Sequence, residues 1–262
     1  MSNPKPKLSD LEDMGRAAGE ILRAGFGKVH EISRKGAIDL VTEVDREAEA
    51  FLLNQINERF PDSQAVGEEG GRLSGSGNGK WYIDPIDGTT NYTHGLPIFC
   101  VSIAYEEAGE LVYGMVYNPI QEEFYSAEKG SGAYLNGRKL QVNQVYEVEN
   151  SLLVTGFPYD IRTNPDNNLA EYARFSLRTH GVRRLGAAAL DLCYVAAGYF
   201  DGFWEKRIEV WDIAAGALIV SEAGGKVSDV NGAPDFMVEA ESILAANPKL
   251  HSEMLKVLQE ED

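Results

Sequence analysis

The sequence predicts a layered α/β sandwich, and three features carry that prediction. Helix-period apolar patterns occupy residues 8–25 and 42–60, and strand-like runs then fill 99–142. A second alternation of strands and helices runs from Ser151 to the C-terminal end. No internal repeat or low-complexity linker separates the two stretches, so they are expected to pack as intimate halves, about 1–150 and about 151–262, of one unit. A chain of 262 residues is long enough to bury a substantial core.

In chain order, residues 1–8 read as a loose Pro/Lys-rich tail. Ser9 and Glu12 have capping-box spacing, and Leu11, Met14, Ala18, Ile21 and Leu22 share one helix face that Gly25 and Gly27 terminate. A second helix starts near Thr42, buries Val44, Ala48, Phe51, Leu52 and Phe60, and stops at Pro61. Gln64–Val66 reads as a short strand, and the Gly/Ser-rich residues 69–80 as a mobile loop. Trp81–Ile83 is a strand that delivers Asp84 to a turn stiffened by Pro85. Phe99–Tyr105, Leu111–Tyr117, Phe124–Ser126 and Ala133–Leu135 form an antiparallel meander, with a tight turn at Asn136-Gly137. Ser151–Phe157 opens the second half. Helices follow at Asn168–Thr179 and Ala187–Ala197, then strand-like Gly202–Trp204 and a small-residue helix opened by Trp211-Asp212. Gly224-Gly225 turns the chain into Lys226–Val230 and Ile243–Ala246, and a helix over Pro248–Leu258 ends it.

Composition is that of an ordinary globular protein, 44% apolar and 25% charged. The 24 basic and 41 acidic residues give a net charge of −17 with no basic run, which argues against nucleic-acid binding. With so acidic a balance, any anionic ligand would need its local field inverted, as bound cations can do. Cys100 and Cys193, each in an apolar run, read as buried free thiols of a reducing compartment. No apolar stretch reaches membrane-spanning length and the N-terminus lacks a signal-peptide core, so the expected location is the cytoplasm, without a membrane partner.

The chemistry gathers at W-Y-I-D-P-I-D-G-T-T-N-Y-T-H, Trp81 to His94. Asp84 and Asp87 flank a proline that restricts the backbone, and Gly88-Thr89-Thr90 offers peptide donors suited to an oxyanion. Hard carboxylates beside a phosphate cradle are what a Mg²⁺-dependent phosphoryl enzyme requires. Two distant segments point the same way: Gly67-Glu68-Glu69-Gly70 and Trp211-Asp212-Ile213-Ala214-Ala215-Gly216. A P-loop is excluded because Trp81 follows Lys80 where Ser or Thr is needed, and no G-x-G-x-x-G opens a helix here. His30, His94, His180 and His251 share no ligand spacing.

The D-P-I-D-G-T-T and W-D-x-A-A-G pair resembles the inositol monophosphatase family of metal-dependent sugar phosphatases, over Lys35 to Gly225 and in its bacterial inositol-1-monophosphatase form. The resemblance implies an αβαβα sandwich with two mixed or antiparallel sheets. It further implies Mg²⁺-dependent, Li⁺-sensitive hydrolysis of inositol 1-phosphate, with two to three Mg²⁺ per subunit, Mn²⁺ as a substitute, and a homodimer. By position it assigns Glu68, Asp84, the Ile86 carbonyl, Asp87 and Asp212 to metal binding, and Glu68, Thr89 and Asp45 to catalysis. Substrate contacts fall on Asp87, Gly88, Thr89, Thr90, Ala188, Glu205, Asp212 and Lys35. From the residues alone, Asp45 reads equally as a helix first-turn acid, Lys35 as a surface lysine, and Glu205 as a strand-end acid. Lys206-Arg207-Ile208-Glu209-Val210 stands where the family often has a bland, Gly-containing segment, which leaves the substrate open among inositol, sugar and nucleotide phosphates. An aspartyl-phosphate enzyme fits less well, because two residues rather than one separate Asp84 from Asp87. A regulatory binding protein on the same fold is the non-enzymatic alternative.

Overall fold

The computed structural model describes residues 5–28, 33–34, 40–239 and 241–260. Lys35 and His30 lie outside the described residues. Helix α1 (Leu8–Gly25) starts one residue before Ser9, because Asp10 rather than Glu12 caps it: the Lys7 N–H donates to Asp10 Oδ2 at 2.8 Å. A two-residue pair, β1 (Ser33–Arg34) and β2 (Leu40–Val41), precedes α2 (Glu43–Arg59), whose N-cap is Thr42. Strands β3 (Gln64–Gly67), β4 (Arg72–Ser74) and β5 (Gly79–Asp87) follow, so the expected mobile loop at 69–80 contains a strand and the start of another. Short α3 (Thr89–Thr93) leads to β6 (Cys100–Glu107), β7 (Glu110–Asn118), β8 (Glu123–Glu128), β9 (Gly132–Leu135) and β10 (Arg138–Lys139). The expected meander is present, with Asn136 and Gly137 both at positive φ in its last turn.

The second half opens with β11 (Leu152–Thr155) and α4 (Leu169–Ser176). Then come β12 (Gly181–Arg183), which the sequence pattern did not predict, α5 (Ala188–Ala196) and β13 (Gly202–Lys206). The chain closes with α6 (Val210–Glu222), β14 (Lys226–Ser228), a single turn α7 (Phe236–Glu239), β15 (Ser242–Ala246) and α8 (Pro248–Leu258).

An eight-stranded sheet runs β10-β9-β8-β7-β6-β5-β3-β4, antiparallel except for β3 beside β5. A five-stranded sheet runs β12-β11-β13-β15-β14, with β11 parallel to both its neighbours. Because side chains alternate across a strand, each sheet sends one face to each of two cores. Trp81, Ile83, Val101 and Ile103 of the large sheet meet Leu11, Met14, Leu52 and Ile56 of α1 and α2. Tyr82, Cys100, Ala104 and Val116 face the other way, onto α5 and α6, which also carry Phe203, Ile243 and Ala245 of the small sheet. Trp204 and Leu244 point outward to Phe175, Leu250 and Met254 of α4 and α8. The result is five layers, αβαβα. The two central helices touch closely: a Cβ on Gly216 of α6 would lie 2.6 Å from Leu192 Cβ of α5, nearer than two carbons can pack.

Cys100 and Cys193 are free and buried, as expected from their apolar settings. Among the described residues no helix is long and apolar enough to cross a membrane. His251 on α8 is fully buried, its Nε2 2.8 Å from Ser228 Oγ and its Nδ1 without a partner. Burial first, and the Lys226 charge second, lower its pKa to about 4. An unfolded chain would take that proton near pH 6.5, so the stability His251 allows above that pH is lost as pH falls from about 6.5 toward 4. The loss should reach about 3 kcal/mol. Denaturant unfolding between pH 7.5 and 4.5 should show His251→Gln less acid-sensitive than the natural chain by that order. Equal slopes would assign the acid sensitivity elsewhere.

Candidate active site

The two acids of the central motif reach one cleft through a bulge. The pairing of β5 with β6 stops at Asp84–Ser102 and resumes at Asp87–Cys100, so three steps on one strand oppose two on the other. Pro85, which has no N–H to give a ladder, occupies that irregularity. In a regular strand residues three apart face opposite sides. The extra residue cancels that alternation, and Asp84 and Asp87 line the same cleft. What the sequence presented as a turn is therefore a kinked strand end. Gly88 follows at φ +96°, where a Cβ would stand 2.9 Å from the Ile98 carbonyl oxygen. Only glycine fits that turn into α3.

Helix α2 supports the motif from behind with two buried acids one turn apart. The Asp45 carboxylate is fully buried and accepts the Thr42 N–H at 2.8 Å and the Thr89 hydroxyl at 3.0 Å. Burial raises its pKa, and these hydrogen bonds pull it back down. The Thr89 hydroxyl also lies 3.0 Å from the Ile86 carbonyl oxygen. One turn on, Glu49 accepts the Glu69 and Gly71 N–H groups, each at 2.8 Å. It thereby pins the turn that carries Glu68. Sequence reasoning missed Glu49; its four-residue spacing from Asp45 on a helix was the available signal.

The second half supplies the opposite wall. Asp87 reaches across to α5, where its two oxygens accept the Ala188 N–H at 3.1 Å and the Ala189 N–H at 2.7 Å. A carboxylate at a helix N-terminus is favoured by the dipole and by otherwise unpaired N–H groups. Asp212 serves its own helix, accepting the Glu209 N–H at 3.1 Å. Glu205, next to last in β13, and Ala188, first in α5, both line the cleft. Among the described residues, the cleft thus brings together Glu68, Asp84, Ile86, Asp87, Gly88, Thr89, Thr90, Ala188, Glu205 and Asp212, in a volume of about 140 Å³. Asp45 stands behind Thr89. Not foreseen were Asp191 and the Gly156–Tyr159 segment, which also line it. Lys206 pairs with Glu171 of α4 at 3.3 Å and Arg207 with Asp160 at 3.0 Å, while Arg207, Ile208 and Glu209 also line the cleft. Arg207 takes φ +58°, a conformation glycine would adopt without strain.

Burial raises three of these acids, and neighbouring acids raise two of them further. Burial comes first and the Glu68, Asp87 and Asp212 charges next in holding Asp84 well above the carboxylate range. Asp84 also shares a hydrogen bond with Glu68, a contact between two carboxyls that needs either a proton or a cation. Burial lifts Asp87 to about 6, against the pull of the Ala188 and Ala189 N–H groups. Asp212 rises through burial and then Glu68 and Asp87. This is an all-oxygen donor set of closely spaced acids, and it suits a hard divalent cation such as Mg²⁺. Among the described residues no three His, Cys, Asp or Glu side chains already converge at metal-holding separations. One oxygen of Asp84 is turned to the Ile86 N–H at 2.9 Å and one of Asp212 to Glu209. Each of these two carboxylates leaves its second oxygen outside these contacts, so the donors fit the cation in kind.

The family model for the inositol monophosphatase family matches residues 7–262. The chain belongs to the inositol monophosphatase family. By that membership it is a phosphatase of this family, which is generally Mg²⁺-dependent. The chain is 45% identical to the Nus factor SuhB of Pseudomonas aeruginosa, over 97% of its length and 96% of the relative's. It is 42% identical to an inositol-1-monophosphatase of Mesorhizobium japonicum, over 96% of its length and 95% of the relative's. The crystal structure of the extragenic suppressor protein suhB from Bartonella henselae superposes with a TM-score of 0.91 at 37% identity, covering 97% of this chain and 98% of that one. The αβαβα fold expected from the motif pair is thereby established.

Glu49→Ala would leave the Glu69 and Gly71 N–H groups without their acceptor. We expect a stability loss of about 1–3 kcal/mol and faster hydrogen exchange at those two amides. Unchanged exchange at Glu69 and Gly71 would remove Glu49 from the support of the Glu68 turn.

Proposed function

We propose that the chain is a Mg²⁺-dependent phosphomonoesterase that hydrolyses inositol 1-phosphate to inositol and phosphate. The observation that carries this reading is the convergence of Glu68, Asp84, Asp87 and Asp212 with Thr89 in one cleft, supported by the relative named an inositol-1-monophosphatase. Glu68, Asp84, Asp87, Asp212 and the Ile86 carbonyl would hold two to three Mg²⁺, with Mn²⁺ as a substitute. Bound Mg²⁺ would supply Lewis acidity, acidifying water and offsetting charge on the phosphate and the leaving oxygen.

The chain's own groups complete the chemistry. The Thr89 hydroxyl, donating to Asp45, turns its lone pairs away from that contact, free to accept from an attacking water. Asp45 fixes the direction of that hydroxyl, and Glu68 stands ready to accept the water's other proton. The backbone of Gly88 and Thr89 and the exposed Thr90 form the phosphate side of the cleft. Ala188 and Glu205 form the alcohol side, where a carboxylate accepts from hydroxyls. Lys35 belongs to the phosphate side by resemblance alone, as do the homodimer and the cytoplasmic location by resemblance and composition.

The relative named a Nus factor supports a second reading, a binding role on the same fold. The complete acid set and Thr89 favour the enzyme.

Phosphate release should be measured on inositol 1-phosphate, fructose 1,6-bisphosphate, other sugar phosphates and a 3′-phosphoadenosine nucleotide, with Mg²⁺, with chelator and with Li⁺. The expected result is Mg²⁺-dependent, Li⁺-inhibited turnover led by inositol 1-phosphate. A lead by another ester would keep the site and change the substrate; silence across the panel with Mg²⁺ would favour the binding role. Asp87→Asn should lower kcat by roughly a thousandfold, the several kcal/mol that a metal site contributes, while circular dichroism stays unchanged. Retained turnover would remove Asp87 from the site.

A further inference from the structure

Asp191 lies in the first turn of α5, within the otherwise apolar run Ala188–Ala196, and lines the cleft. It is 1% exposed, and its Oδ1 has no hydrogen-bond partner. Three other buried acids are tied to donors. Asp45 accepts from Thr42 and Thr89, Glu49 from Glu69 and Gly71, and Asp201 from the Leu152 N–H. A plain helix-start acid would sit in solvent, where the dipole favours it and water solvates it. An unpaired buried acceptor is instead a standing cost to the fold, and such groups concentrate where a ligand completes them.

The charges that face Asp191 narrow the ligand. Glu205 and Asp87 repel it, Arg184 attracts it, and burial outweighs all three in raising its pKa. Glu205 is lifted to about 8, by burial first and Asp87 next. Two neighbouring acids on one wall of a small cleft present acceptor oxygens whether or not one of them keeps its proton. Neutral O–H donors satisfy both without adding charge.

We propose that Asp191 and Glu205 together form a two-carboxylate wall that accepts hydrogen bonds from neighbouring hydroxyls of the leaving alcohol, so that the cleft selects a polyol monophosphate over a hydroxyl-free ester. This rests on the phosphatase reading and deepens it: Glu205 alone recognises one hydroxyl, and the pair recognises two. A site built to bond hydroxyls discriminates strongly, because an analogue lacking them leaves its buried acceptors unpaired. Asp191 is thus a specificity residue rather than a participant in proton transfer.

The test compares Asp191→Leu and Asp191→Asn with the natural chain, in Mg²⁺, on inositol 1-phosphate and on phenyl phosphate, which carries no free alcohol hydroxyl. The expected result is a fall in kcat/KM for inositol 1-phosphate of roughly thirtyfold or more, carried mainly by KM, with phenyl phosphate changed less than about threefold. Because an unsatisfied acid is removed, the melting temperature of Asp191→Leu should rise by a few degrees, the usual sign of a functional group held at a cost to stability. Parallel loss on both esters with a lowered melting temperature would make Asp191 structural and overturn the proposal. So would unchanged kinetics on both. If the natural chain hydrolyses neither ester, the inositol 1-phosphate reading falls and the wall with it; if it hydrolyses them and the variants do not discriminate, only the wall falls.

Discussion

Mutual repulsion among buried carboxylates is the constraint around which this molecule is arranged. Glu68, Asp84, Asp87 and Asp212 meet in one cleft, where burial raises Asp84, Asp87 and Asp212 and the charges of their neighbours raise Asp84 and Asp212 further. Burying several like charges is unfavourable unless each is fixed and offset. The chain does so largely with peptide N–H groups: those of Ala188 and Ala189 for Asp87, Ile86 for Asp84 and Glu209 for Asp212. Two of the acids therefore sit at helix N-termini, where fixed dipoles oppose their charge.

That arrangement also ties the two sheets together. Asp87 ends β5 of the large sheet and caps α5 of the central helix layer. Asp212 rides on α6, packed so closely on α5 that Gly216 leaves no space for a side chain against Leu192. The cleft thus lies where a strand end, helix starts and the end of the second sheet's middle strand come together. A shift of either central helix would move the acids relative to one another, so packing and site geometry are one problem.

The central motif was legible because its chemistry is contiguous: Asp84, Pro85, Asp87, Gly88 and Thr89 are neighbours in sequence and remain so in space. The meander was legible for a similar reason, since hairpins join adjacent strands. Asp45 was ambiguous, equally a first-turn acid, until the fold placed its carboxylate 3.0 Å from the Thr89 hydroxyl. Glu49 went unread because its partners, Glu69 and Gly71, lie 20 and 22 positions away and are backbone groups that leave no mark on residue type. Asp191 went unread because an Asp early in a helix is commonplace, and only burial without a partner sets it apart.

By itself the sequence determined the alternation of helices and strands, the net charge of −17 and the identity of the acids and the threonine. Those follow from local periodicity and from residue types that few chemistries need together. Only the tertiary structure decided that a bulge turns Asp84 and Asp87 to one side, that α2 supports both Thr89 and the Glu68 turn, and that Lys206 pairs with Glu171 of α4 while Arg207 pairs with Asp160 at the cleft. Direction of a side chain depends on register and on elements remote in sequence, and residue order alone does not encode either.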